Sequence, residues 1–234
     1  EPMQMNRFDC RYTRLPAKPI PVPDSEDVDY IYLKNDTIAV KISKKTGYME
    51  QYTVNGEDML QGEACVLHVV QDSCDPWEMA HLSFSNRIGR FTLLSPEEGS
   101  RFSGVKGIIP SVRCVESGPV RVVIEAALGY GRSRALIRYT LSRWSPTVKI
   151  DVRVQWAEVQ RMLKLGFDTK IEQAHCLGQV AFGVEDLPVN GRENVSQKYL
   201  IMKNDHKALA VCNDGLYGSS AEEGQLFVTL LRSP

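Results

Sequence analysis

The chain has 234 residues, of which 43% are hydrophobic and 24% charged, with a formal net charge of -1. These are ordinary globular values, and they exclude a disordered chain and a basic nucleic-acid binder. No apolar run approaches the roughly 20 residues that span a bilayer, so neither a membrane nor a nucleic acid is expected as a partner.

The first residues, Glu1-Pro2-Met3-Gln4-Met5-Asn6, lack a charged stretch leading into an apolar one, so no secretory leader is read there. Six cysteines, Cys10, Cys65, Cys74, Cys114, Cys176 and Cys212, are spread along the chain with no C-x-x-C pair. That spacing fits reduced thiols rather than a zinc ribbon, and a cytoplasmic protein is expected.

Residues 1–29 read as the end of an upstream domain plus a linker. Pro16, Pro19, Pro21 and Pro23 favour extended polyproline geometry, and the acidic Asp24, Glu26, Asp27 and Asp29 follow. Residues 30–234 read as one β domain. Ile38, Val40 and Ile42 alternate with Ala39 and Lys41 as in a half-buried strand, and Lys44 to Gly47 turns the chain into a second strand over Tyr48 to Val54. Asn55-Gly56 is a further turn signal.

Val120 to Leu128 predicts a strand, Gly129-Tyr130-Gly131 a turn, and Ala135 to Leu141 the returning strand. Val148, Ile150, Val152, Val154 and Trp156 then alternate with Lys149, Asp151, Arg153 and Gln155, which predicts a strand with one wet face. Val159, Met162 and Leu163 suggest a short helix or irregular connection ending at Gly166. Val180 to Gly183, Ala208 to Cys212 and Leu226 to Leu231 predict further strands, with Asn213-Asp214-Gly215 and Gly218-Ser219-Ser220 in the loop between the last two. The sum is an all-β chain: a large antiparallel β-sandwich with few short helices.

Four isolated histidines, His68, His81, His175 and His206, show no metal-ligand spacing, and no metal site is assigned. No G-x-S-x-G elbow or phosphate-binding loop occurs, so no catalytic residue is assigned either. The segment Asp72-Ser73-Cys74-Asp75-Pro76-Trp77-Glu78-Met79 places carboxylates beside an indole. An indole stacks on the apolar face of a sugar ring, and carboxylates accept hydrogen bonds from its hydroxyls. The same segment also fits a solvated acidic turn whose Trp packs on the sandwich, and composition alone favours that reading. Asn213, Asp214 and Tyr217 form a polar turn, and Arg232 follows an apolar strand; by themselves these read as a hairpin turn and an ion-paired Arg.

Several short motifs occur in a shared order: Tyr32-Leu33-Lys34-Asn35, Lys45-Thr46-Gly47, the Asp75–Met79 loop, Glu116-Ser117-Gly118-Pro119-Val120-Arg121, Trp156-Ala157-Glu158 with Leu163-Lys164, Asn213 to Gly218, and Thr229-Leu230-Leu231-Arg232-Ser233-Pro234. In them the chain resembles the C-terminal β-sandwich region of the glycoside hydrolase family 38 α-mannosidases, over about Tyr32 to Pro234. It departs from the family pattern at Gln155, at Asp186-Leu187-Pro188, at Tyr199 and at Glu78.

The resemblance implies a galactose-mutarotase-like supersandwich. It also implies an accessory role in a retaining, metal-dependent enzyme that hydrolyses terminal α-mannosyl linkages in glycans. The nucleophile, the general acid and the zinc or other divalent ion would lie on an N-terminal catalytic barrel, the expected partner within the same chain. No cofactor is expected in this region itself, which alone would be inactive. Asp75, Trp77, Glu78, Asn213, Asp214, Tyr217 and Arg232 are the substrate-proximal candidates. A carbohydrate-binding module and a purely structural sandwich are the alternatives.

Overall fold

The computed structural model describes residues 7, 9–13, 20–75 and 82–234. In chain order these form β1 (Ser25–Glu26), β2 (Tyr30–Lys34), β3 (Ile38–Ser43), β4 (Met49–Val54), β5 (Glu57–Asp58), β6 (Leu60–Gln71), β7 (Arg87–Arg90) and β8 (Thr92–Leu93). The helix α1 (Pro96–Ser103) comes next, then β9 (Val112–Ser117), β10 (Arg121–Tyr130), β11 (Ser133–Ser142) and β12 (Val148–Gln155). The last third holds β13 (Arg161–Thr169), β14 (His175–Val180), β15 (Gly183–Leu187), β16 (Asn194–Val195), β17 (Tyr199–Lys203), β18 (Ala208–Cys212), β19 (Gly218–Glu222) and β20 (Gln225–Ser233).

They build three sheets. An eleven-stranded sheet runs β1-β2-β3-β4-β6-β13-β20-β19-β16, with β5 paired to β4 and β7 to β6. A five-stranded sheet runs β12-β11-β10-β8, with β9 on β10, and a four-stranded sheet runs β15-β14-β17-β18. The expected antiparallel β-sandwich is what forms. One continuous core joins all three sheets. Leu33, Val40, Ile42 and Leu67 of the large sheet share it with Ile124, Leu128 and Ile137 of the second and with Cys176, Leu200 and Met202 of the third. All six cysteines are unpaired.

Two tyrosines stitch the layers at the Thr46-Gly47 turn. Tyr139 donates to the Gly47 carbonyl at 3.0 Å, and Tyr48 donates to the Phe91 carbonyl at 2.9 Å, so both buried hydroxyls are satisfied. Gly47 has φ +77°, and a Cβ there would lie 2.9 Å from the Cβ of Ala126. Only glycine both adopts that backbone and admits that approach.

Several expectations need correction. Residues 159–160 are an irregular connection, but it does not run to Gly166: Arg161–Thr169 is a central strand of the large sheet. Its two faces are both covered, so its apolar residues run nearly unbroken and carry no clear period. The expected strand over Val180 to Gly183 is a hairpin turn in which Phe182 has φ +66°, and Gly218 to Ser220 belongs to β19 rather than to a loop. The turn expected at Gly129 falls later, because β10 and β11 stay paired through Tyr130 and Ser133. Ahead of β2, β1 pairs with β2, and Asp24 meets Arg143 at 2.6 Å.

The helix α1 carries its own start and stop signals. Ser95 caps it by accepting from the Glu98 amide, Pro96 stands in the first turn, and Gly104 closes it at φ +70°.

Candidate functional site

The large sheet places its chemistry on the face away from the shared core. On β13, Leu163 and Leu165 point into that core, while Met162 and Lys164 point to the other side. Strand register then builds two rows. Val70, Met162 and Arg232 lie across β6, β13 and β20, and one step along come His68, Lys164 and Thr229. Residues 82–88 and 192–196 run beside this face: Ser83 bridges Arg192, and the Glu193 amide donates to the Leu82 carbonyl at 2.9 Å.

Arg232 is the centre of the first row. Its Nε and Nη2 donate to the two carboxylate oxygens of Asp72 at 2.8 and 2.7 Å, a bidentate fork. Asp72 sits just past the end of β6, and its side chain is fully buried. Its Oδ1 also accepts from the Ser73 amide at 2.8 Å. The hydrogen bond that Arg232 donates to Asp72 raises the Arg232 pKa further, with added attraction from the charges of Asp72, Glu193 and Asp75. Arg232 also stands over the Phe84 ring, 5.5 Å from its centroid.

Lys164 anchors the second row. Its side chain is 2% exposed, and the ammonium is paired with Glu193 and donates to Ser220 Oγ at 2.9 Å. The other Glu193 oxygen accepts from Thr229 Oγ1. Lys164 also lies 5.9 Å from the Phe84 centroid, so that ring has two cations near it. His68, beside Phe227, is held neutral: burial and the cationic Arg87 and Arg90 push its pKa down to about 4.

The sequence candidates divide into three groups. Arg232 is at this site, and Asp75 is close enough for its charge to act on Arg232. Trp77 and Glu78 lie outside the described residues. Asn213, Asp214 and Tyr217 form a separate turn. There Asn213 Oδ1 accepts from the Gly215 and Leu216 amides, and Asn213 Nδ2 donates to the Gln197 carbonyl. Asp214 pairs with Lys198 at 2.8 Å, and that hydrogen bond lowers the Asp214 pKa. Tyr217 is about half exposed, and its carbonyl accepts from the Ser196 amide. This turn is anchored to residues 196–198, a different anchor from the one that holds Arg232.

Asp72 opens the acidic segment singled out in the sequence but was not named as a substrate-proximal candidate, and neither were Lys164, Glu193 and Phe84. A lysine within the apolar run Met162 to Phe167 was the available signal, since a buried ammonium demands a partner. Among the described residues, no three His, Cys, Asp or Glu side chains converge to hold a metal ion.

The model of the glycosyl hydrolases family 38 C-terminal domain matches residues 33–234. The chain belongs to this family. Two solved structures share the fold. One is an alpha-mannosidase from Enterococcus faecalis V583, with a TM-score of 0.66 and 13% identity. The other is a glycosyl hydrolase family 38 protein from Enterococcus faecalis, also at 0.66, with 14% identity. Each alignment covers 86% of this chain but only 25% and 26% of the two relatives. None of the curated protein sequences matches it.

On β20, Thr229 makes the Glu193 contact and Arg232 the Asp72 fork. No helix among the described residues is long and apolar enough to cross a membrane.

Proposed function

We propose that this chain is the C-terminal accessory domain of a retaining, metal-dependent α-mannosidase that hydrolyses terminal α-mannosyl linkages in glycans. The observation that carries the reading is the family match over residues 33–234. The parent's catalytic region is its partner, and the domain packs against it. The six unpaired thiols favour a reducing compartment, and we assign the protein to the cytoplasm.

A retaining glycosidase needs two carboxyls about 5 Å apart flanking the anomeric carbon. We assign these, with the ligands of the zinc or similar ion, to the catalytic region, as the family resemblance implies. A bound ion of this kind would polarise sugar hydroxyls in that region.

This domain's part is to wall one side of the sugar. Arg232 holds Asp72 at the root of the loop that follows β6, and Asp75 beyond it offers a carboxylate to a substrate hydroxyl. A wall held at a fixed root excludes water and restrains the substrate's orientation.

The test is turnover of p-nitrophenyl α-mannoside, with and without added zinc, by the intact gene product that carries this domain and by the domain alone. Turnover is expected from the first and not from the second. Metal-dependent turnover by the pure domain above a mock preparation, or an intact product inert on every α-mannoside, overturns the reading.

A further inference from the structure

We propose that Glu193 is a positioning residue for the candidate site. Through Lys164 and Thr229 it clamps the limb of chain that returns from the Asp72 loop, so that both limbs are anchored to the same face of the large sheet. Its role toward a sugar rests on the accessory-domain reading; the clamp itself does not.

The two limbs are held by different charges. The outgoing limb is held at Asp72 by the Arg232 fork. The returning limb begins the described chain again at Leu82, whose carbonyl accepts from the Glu193 amide at 2.9 Å, and Ser83 bridges the neighbouring Arg192. Phe84 on that limb is 7% exposed and packs with Val70 and Met162 in a small core of its own.

Glu193 is therefore bonded at both ends. Its backbone holds the returning limb, and its carboxylate is bound to Lys164 and Thr229 on two adjacent strands. Gly218 makes room for it: a Cβ there would lie 3.0 Å from Glu193 Oε1 and from Thr229 Cβ.

The energetics argue for position rather than stability. Desolvating a Lys–Glu pair costs several kcal/mol, and well-packed apolar residues of similar volume commonly do as well or better. What such a pair adds is register, because each charge tolerates few alternative partners. Lys164 and Arg232 both stand near Phe84 and share the face with Asp72 and Glu193, two cations matched by two buried anions. A slip of the 192–196 segment by one residue would leave Lys164 unpaired in a dry site, and the anchor of Leu82 would shift with it.

The experiment compares wild type with Glu193→Gln, Glu193→Ala and the double variant Lys164→Met/Glu193→Leu. Glu193→Ala leaves a buried ammonium alone and can unfold the domain. The double variant removes the pair and keeps the volume, so it carries the test if the single variant fails to fold. Peptide-resolved hydrogen exchange of residues 82–88 is read against residues 121–130 of β10. The double variant should speed exchange at 82–88 about tenfold with β10 unchanged, and Glu193→Gln, which keeps an acceptor for Lys164 and Thr229, should restore most of the protection.

In the intact enzyme the double variant should raise KM for an α-mannoside about tenfold while kcat stays within about twofold. If exchange at 82–88 stays at the wild-type rate in the folded double variant, or rises equally in β10, the clamp is overturned. If Arg232→Lys alters the kinetics and the Glu193 variants change neither kinetics nor exchange, the clamp falls and the accessory-wall reading stands. If Arg232→Lys leaves the kinetics unchanged, that reading falls and hydrogen exchange alone decides the clamp.

Discussion

Asp72 and Arg232, 160 positions apart in sequence, form a two-point ion pair that joins the end of β6 to the end of β20 across the face of the large sheet. The carboxylate is fully buried and the guanidinium 24% exposed. Removing one partner strands the other, and Asp72 is the more costly charge to strand. Arg232→Ala should therefore lose about 3 kcal/mol in urea unfolding, near the lower end for a broken buried pair. Arg232→Lys keeps the charge but not the fork, and should lose less. An Arg232→Ala domain as stable as wild type would show that the pair holds nothing.

A second buried carboxylate tests the sandwich itself. Glu125, on β10, is 2% exposed and bonds Arg113 of β9 and Arg138 of β11, its register partners on either side. Glu125→Ala leaves Arg113, itself mostly buried, without its anion and should cost about 3–5 kcal/mol. Glu125→Gln retains an acceptor and should cost less. Equal midpoints for the two variants in denaturant would refute this account.

Gly47 offers a test that involves no charge. Its positive φ and the 2.9 Å approach to Ala126 both oppose a side chain. Its carbonyl is also the acceptor for the fully buried Tyr139 hydroxyl. Gly47→Ala should destabilise by about 1–3 kcal/mol, the sum of backbone strain and overpacking. Tyr139→Phe should cost about 1–2 kcal/mol by leaving that carbonyl one partner short. Thermal unfolding of both variants checks the ranking.

His68 makes stability depend on pH. Burial, with the positive Arg87 and Arg90 nearby and Glu63 opposing them, lowers its folded pKa to about 4. An unfolded histidine takes up its proton near pH ~6.5. The contribution is therefore complete above that value, and it is lost as pH falls from there toward 4, because the unfolded chain binds a proton that the folded one refuses. Between pH ~7 and ~5, where most carboxylates stay ionised, this should cost about 1 kcal/mol after allowance for the ring's partial exposure. His68→Gln should flatten urea-unfolding stability over that window. A wild-type curve already flat there would refute the assignment.

The sandwich was legible wherever one face of a strand is wet. Val148 to Gln155 alternates because one side meets the core and the other meets water, and the structure forms that strand as expected. Asn55-Gly56 and Lys44 to Gly47 marked their turns because positive φ at Asn55, Gly56 and Gly47 restricts the residues allowed. Where both faces are covered the pattern vanished. Arg161–Thr169 reads as an apolar run, and only the neighbours β6 and β20, drawn from distant parts of the chain, make it a central strand.

The same limit applied to the site. Arg232 was readable as a charged residue closing an apolar strand, and Asp75 as a carboxylate in an acidic loop. That Asp72 rather than Asp75 takes the fork depends on the register that sets Val70, Met162 and Arg232 in one row. That Lys164 meets Glu193 depends on a chain segment brought back beside the sheet. Local composition determines which residues prefer to be buried and where the backbone must turn. Pairing between charges far apart in sequence is decided only when the sheets close, because burial is what makes an unpaired charge too costly to leave alone.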